Sequence, residues 1–176
     1  DERRTAIAEE AATLPPGAGG LLALPYLDGE RAPVWDPGAR GAFVGLTTAT
    51  TSAQMYRATI DAVALSAADL ADRLDPPLPD ARPWRVGGGG VHDAAWLHAT
   101  VDAVGEPMLV ADLTDANGAA RSAFRALGAP VPELATRRVE PDPARHALYA
   151  RLLPAYRGMY GALESTVRAL ATDVPT

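Results

Sequence analysis

WRVGGGGVHDAAWLHATVDAVGEPMLVADLTDANGAARSAFRALG, residues 84–128, decides the fold. Trp84-Arg85-Val86 starts a short apolar strand that runs into the four glycines 87–90. Asp93 then stands where a helix N-cap belongs, and apolar residues recur at helical spacing to Val104. Gly105 ends that helix, Met108-Leu109-Val110 is the next strand, and Ala116 to Leu127 forms a second helix stopped by Gly128 and Pro130. Strand, helix, strand, helix is the pattern of a layered α/β domain.

Working outward, residues 3–13 predict a short helix, and Gly20 to Tyr26 a buried strand closed by Pro25. Gly41 to Leu46 predicts a second strand. Thr51 or Ser52 can cap a long helix reaching Leu74, with Met55, Ala58, Ala62, Leu65 and Leu70 as its apolar stripe. Asp75-Pro76-Pro77-Leu78-Pro79 reads as a rigid connector. A terminal helix is expected from Pro143 to Leu170, interrupted at Pro154. So few strands make a thin sheet for this many helices, which suggests that further strands of the fold lie upstream.

The chain has 176 residues, the size of one domain of roughly 100–200 residues, and 1–176 reads as a single domain. Net charge is −6, and all 16 basic residues are scattered arginines. Nucleic acid is therefore not an expected partner. An acidic domain that binds an anionic nucleotide must rely on local backbone N–H groups rather than its overall field. Cysteine is absent, which fits a cytoplasmic setting, and no apolar run approaches the ~20 residues of a membrane span.

Within Val86 to Asp93, glycines without Cβ atoms allow a flat ligand to lie against the backbone, and the helix end offers free N–H groups. A nucleotide loop and a tight strand-to-helix turn are both consistent with that spacing. No lysine follows as in a phosphate-binding P-loop, and the third glycine of a dinucleotide loop is out of place. Asp93 occupies the N–H groups a phosphate would want and repels its charge. The loop therefore suits the adenosine end of a nucleotide better than its phosphates. In segment 24–46, Glu30, Arg31, Asp36 and Arg40 suit loop-holding ion pairs or contact with a polar substrate; the structural role is favoured, with Arg40 expected to pair with Asp36 or Glu30. In Asn117-Gly118-Ala119-Ala120 the alanines suggest close helix packing, and Gly118 stays open between packing and ligand approach. His92, His98 and His146 show no metal-ligand spacing, and the four serines lie in no nucleophile elbow.

Taken together, LPYLDGERAPVWDPGARGAFVGL (24–46), GGGVHDAAWLHATVDAVGEP (88–107), NGAARSAFRALG (117–128) and VEPDPARHALYARLLPAYRGMYGAL (139–163) resemble the FGGY family of carbohydrate kinases, in order and spacing. Xylulokinases and gluconate kinases show the first motif in similar form. The resemblance implies a ribonuclease-H-like, actin-like ATPase C-terminal domain lacking its first strands. It implies that Gly88, Gly89 and Gly90 line an adenosine pocket with Asp93 at its edge. ATP and Mg²⁺ would be the cofactors. The sugar or polyol, a xylulose-like ketose first and gluconate or a polyol second, would meet an N-terminal domain outside this chain. That domain would also supply the catalytic Asp, leaving no catalytic residue here and this chain alone inactive. Homodimerisation stays open. His92 and Asp93 stand where the family often has Arg and Ser, and His98 where Gln is common, while Trp96 and Asp102 are kept. The alternative is a truncated or degenerate domain without catalysis that binds nucleotide or a partner protein. A longer upstream reading frame with a Gly-Asp motif would favour the enzyme.

Overall fold

The computed structural model describes residues 2–74, 82–111, 115–131 and 133–173; the connector expected at Asp75 to Pro79 lies outside them. The elements in order are α1 (Glu2–Thr13), β1 (Leu22–Leu24), β2 (Ala42–Val44), α2 (Ser52–Leu74), β3 (Trp84–Val86), α3 (Ala94–Val104), β4 (Met108–Ala111), α4 (Asp115–Ala126), β5 (Thr136–Val139) and α5 (Pro143–Asp173). β1 and β2 form an antiparallel pair with Leu22 opposite Val44. The second sheet has the order β3-β4-β5. Its β3 and β4 are parallel, with Val86 opposite Val110, so a crossover must join them, and α3 provides it. β5 adds antiparallel to β4, with Met108 opposite Val139. The mixed α/β architecture is the one read from residues 84–127.

α2 organises the larger core. Thr51 Oγ1 accepts from Gln54 N at 3.1 Å and Gln54 Oε1 accepts from Thr51 N at 2.9 Å, a reciprocal capping box. Thr51, rather than Ser52, is thus the cap. The buried face runs through Ala53, Ala58, Ala62, Leu65 and Ala68; Met55, expected on it, is exposed, and Leu70 is half-buried. Small side chains let helices approach, and α2 packs extensively on α3 through a cluster holding Ala58, Ala62, Ala99 and Ala103. A second, smaller cluster lies between α3 and the β3-β4-β5 sheet: Leu97, Val101, Met108, Val110 and Val139, with Trp84 and Val86 at its margin.

Two expectations are corrected. α5 runs unbroken through Pro154, whose side chain is exposed, as is Ala150. The amide bond that proline removes is to the Ala150 carbonyl, which water can reach, and buried Tyr149 and Tyr156 anchor the helix on either side. Arg40, expected to pair with Asp36 or Glu30, instead donates to its own loop, to the Ala39 carbonyl at 2.9 Å and the Pro37 carbonyl at 3.4 Å. Asp36 is held from α5, by Tyr160 and by Arg168 at 2.9 Å. Segment 24–46 is braced, but by a helix far along the chain.

Candidate functional site at the glycine loop

β3 delivers the chain into the glycines at its C-terminal end. Gly88 has φ +91°, a conformation that side-chain-bearing residues rarely adopt. A single 3-10 turn, Gly89–His92, follows, closed by Val91 N donating to the Gly88 carbonyl at 3.3 Å. The sequence left a nucleotide loop and a tight strand-to-helix turn both open; the 3-10 form of the turn was not legible in it. Asp93 then caps α3: its Oδ1 accepts from Ala95 N at 2.9 Å and from Trp96 N at 3.1 Å. The cap expected at Asp93 is therefore formed, and its Oδ2 carries no hydrogen bond among the described residues.

The glycines differ in what they face. A Cβ at Gly88 or at Gly89 would meet nothing within 4 Å, so their backbone borders open space. A Cβ at Gly90 would lie 3.0 Å from the Trp96 ring, so Gly90 is required for packing over the indole. Trp96 thereby fixes the height of the loop above α3. Beside the loop lies a hollow of about 380 Å³ lined by Val91, His92, Val110, Ala135, Thr136 and Arg137. His92, His98 and Asp93 are exposed. A larger hollow, about 590 Å³, opens between α1, β2 and the first turns of α2. Among the described residues it includes none of the glycine loop and no carboxylate or imidazole.

Behind the loop, α3 is tied to α5 by a residue whose role the sequence did not reveal. Asp102 is buried, and its Oδ1 accepts from Asp142 N at 2.8 Å. Burial raises its carboxyl pKa, against the bond from Asp142 and the charge of Arg145. Asp142 in turn caps α5, accepting from Ala144 N at 2.8 Å and Arg145 N at 3.1 Å, and those backbone bonds lower its pKa. His146 Nδ1 lies 3.0 Å from the Asp102 carbonyl. The floor of the loop is thus a rigid helix pinned at both ends. Among the described residues, no three or more His, Asp or Glu side chains gather around a point that would hold a metal ion. Nor, among them, is any helix long and apolar enough to cross a membrane.

Against known proteins, residues 1–127 match the C-terminal domain of the FGGY family of carbohydrate kinases. A glycerol kinase of Dechloromonas aromatica (strain RCB) is 35% identical over 145 residues, which cover 75% of this chain and 29% of that protein. The fold is similar to the crystal structure of a xylulose kinase from Rhodospirillum rubrum, with TM-score 0.76, 27% identity, and coverage of 93% of this chain and 35% of that one. It is similar too to a gluconate kinase from Lactobacillus acidophilus, with TM-score 0.74, 29% identity, and coverage of 89% and 34%. The chain spans about a third or less of the relatives it matches.

Proposed function

The chain belongs to the FGGY family of carbohydrate kinases, and from that premise we propose that it supplies the adenosine side of the site in an ATP-dependent kinase acting on a sugar or polyol. The observation that carries this reading is the bare backbone of Gly88 and Gly89 at the end of β3, bordering open space beside a capped helix. Adenine is flat and apolar on its faces, and packs on such a surface without a side chain in the way. Asp93 Oδ1 is committed to the cap, while Oδ2 is available to accept from an amine or ribose hydroxyl of the nucleoside. The same carboxylate keeps phosphates away, so the triphosphate extends from the loop rather than into it. Gly90 acts indirectly, by seating the loop on Trp96.

Mg²⁺ supplies charge neutralisation on the transferring phosphates when bound. The described residues gather no group of three or more ligands for it, and in this reading it would be held by the phosphates and by carboxylates of the intact kinase. The parts of the intact kinase beyond this chain are assigned the Asp base and most sugar contacts. A xylulose-like ketose is the first candidate acceptor, in line with the names of the similar structures, and a polyol such as glycerol the second, in line with the curated relatives. A cytoplasmic location belongs to the same reading.

The test is steady-state kinetics of the full-length kinase with Gly89→Val. The valine side chain would fill the adenine space without a clash inside the protein. ATP KM is expected to rise about tenfold or more, with the sugar KM nearly unchanged and the same melting temperature. Equal ATP affinity in two equally stable proteins would reduce the loop to a turn. The chain by itself is expected to show no ATP-dependent turnover of pentoses or polyols. Turnover abolished by a substitution within it would overturn that assignment.

A further inference from the structure

Large apolar side chains are left exposed where β2 meets the start of α2. Phe43 and Val44 of β2, Leu46 just past it, and Met55 and Tyr56 in the first turns of α2 are all exposed. Phe43, Met55 and Tyr56 line the hollow of about 590 Å³, together with Arg4, Ile7 and Ala8 of α1. Successive residues of a strand point to opposite faces, so Phe43 and Val44 leave β2 bare on both. Exposed apolar residues scattered singly are ordinary, but a group of them around a hollow marks a surface that something covers.

β2 is also unguarded along its outer side. Among the described residues it pairs with β1 alone. Its residues Ala42, Phe43 and Val44 include none of the charges or prolines that keep an edge strand from accepting a neighbour. β5, at the edge of the other sheet, carries Arg137 and Arg138. A pair of strands is too small to be stable without packing against something more. Polypeptide outside this chain supplies an occupant. The chain spans about a third or less of the relatives it matches. α1 begins at Glu2, and Arg4, Ile7 and Ala8 of its first turns line the hollow. Residues that precede α1 in a longer kinase therefore emerge beside it.

We propose that this hollow, with the bare outer side of β2, is the seat of the polypeptide that precedes α1 in the intact kinase, an apolar segment that covers Phe43, Met55 and Tyr56. The proposal rests on the reading that this chain is part of a longer kinase, and it makes no use of the glycine loop. The experiment is thiol labelling of the full-length kinase carrying Ser52→Cys or Thr59→Cys. Both side chains line the hollow and are exposed in this chain, so protection of either must come from outside it. The chain has no cysteine of its own, so each new thiol is unique within it. Labelling with iodoacetamide is expected to be about tenfold or more slower in the native kinase than in urea, at every protein concentration. A photo-crosslinking phenylalanine in place of Met55 is expected to join residues that precede Asp1 in the same polypeptide. Ser52→Cys is nearly isosteric; it carries the labelling alone if Thr59→Cys, which loses its bond to the Met55 carbonyl at 3.0 Å, melts lower than wild type. Native labelling as fast as in urea overturns the proposal. Protection that fades on dilution, or cross-links between two polypeptides, overturns it too and gives the surface to a second copy. Cross-links to residues beyond Thr176 give it to a later segment and have the same effect. The mass of the natural polypeptide separates the two readings. If it is no longer than this chain, both fail; if it is longer and the hollow labels fast, only the seat does.

Discussion

Individual glycines in this chain do separable jobs, and substitution distinguishes them. At Gly105, which ends α3 with φ +74°, an added Cβ would lie 2.2 Å from the His146 ring. The imidazole cannot retreat without losing its contact with the Asp102 carbonyl at 3.0 Å. Gly105→Ala is expected to cost about 2–4 kcal/mol, from strained backbone and overpacking combined, read as a fall in the urea midpoint. Gly90→Ala is milder: it pushes on the Trp96 ring and should cost about 1 kcal/mol. Gly89→Ala, facing open space, should leave stability within about 0.5 kcal/mol. A stability loss at Gly89 equal to that at Gly90 would contradict the difference seen between their surroundings. Asp36 supplies a pH signature at the same scale. The hydrogen bond from Tyr160, then that from Gly38 N at 2.7 Å and the charge of Arg168, hold its carboxyl below the ordinary range. A lowered folded-state value adds stability that is present above the ordinary Asp pKa and disappears as pH falls through the folded value. Asp142 acts in the same direction, while buried Asp102, raised, favours the folded state at low pH and loses that contribution as pH rises. Asp36→Asn should therefore be less stable than wild type at neutral pH and lose less on acidification. Parallel stability curves between neutrality and the acid limb would refute it.

At the scale of elements, capping chemistry was the most readable part of the sequence. Thr51 and Asp93 each stand one residue before a helix and each makes the expected side-chain bonds to it. Thr51→Ala should cost about 1 kcal/mol by thermal melt, whereas Thr51→Ser should be nearly neutral. Asp93→Asn preserves the cap and should leave the melting temperature unchanged. What escaped the sequence has a physical reason in each case. β5, Thr136 to Val139, carries two arginines and buries only Val139, so it has no alternating apolar pattern; its pairing with β4 is set by tertiary context. Arginines on such an edge strand also discourage further strands from adding. Pro154 resembles a break only if local sequence decides, and here the packing of Tyr149 and Tyr156 decides. The face of α2 was drawn too narrow, because Arg57, Asp61 and Asp69 are buried on it and polar residues do not enter an apolar stripe. For the loop site, the cap and the glycine spacing were legible. The separation of Gly88 and Gly89 from Gly90 was not, because it depends on where the Trp96 ring lies.

Across the molecule, the sheets do little to join the halves of the chain, and buried charge does much. Asp61 is fully buried on α2 and accepts three hydrogen bonds: from Gly17 N at 2.8 Å, Arg57 Nε at 2.9 Å and Tyr149 OH at 2.6 Å. Arg57, also buried, donates to Tyr149 OH at 2.8 Å. One carboxylate thereby fastens the turn after α1, the middle of α2 and the first half of α5. A second tie, Arg157 to Asp69 at 2.6 Å and Asp72 at 2.7 Å, joins α5 to the last turns of α2, half in solvent. The two ties should differ in cost. Truncating Asp61 to Ala leaves the Arg57 guanidinium buried without its counter-charge, which typically costs about 3–5 kcal/mol. Tyr149→Phe removes one hydroxyl but keeps the ion pair, and should cost about 1–3 kcal/mol. Arg157→Met keeps the apolar stem and takes one of two partners from buried Asp69, which retains Arg73 at 3.1 Å, and should cost less than Asp61→Ala, about 1–3 kcal/mol. The informative variant is the double replacement of Arg57 by Met and Asp61 by Leu. If the cost of Asp61→Ala is that of an orphaned buried charge, removing both charges should recover a large part of it, since apolar pairs of similar volume often match a buried ion pair. Denaturant titration of the four variants measures this directly. A double variant as unstable as Asp61→Ala would show instead that the fold depends on the bonds to Gly17 and Tyr149 themselves.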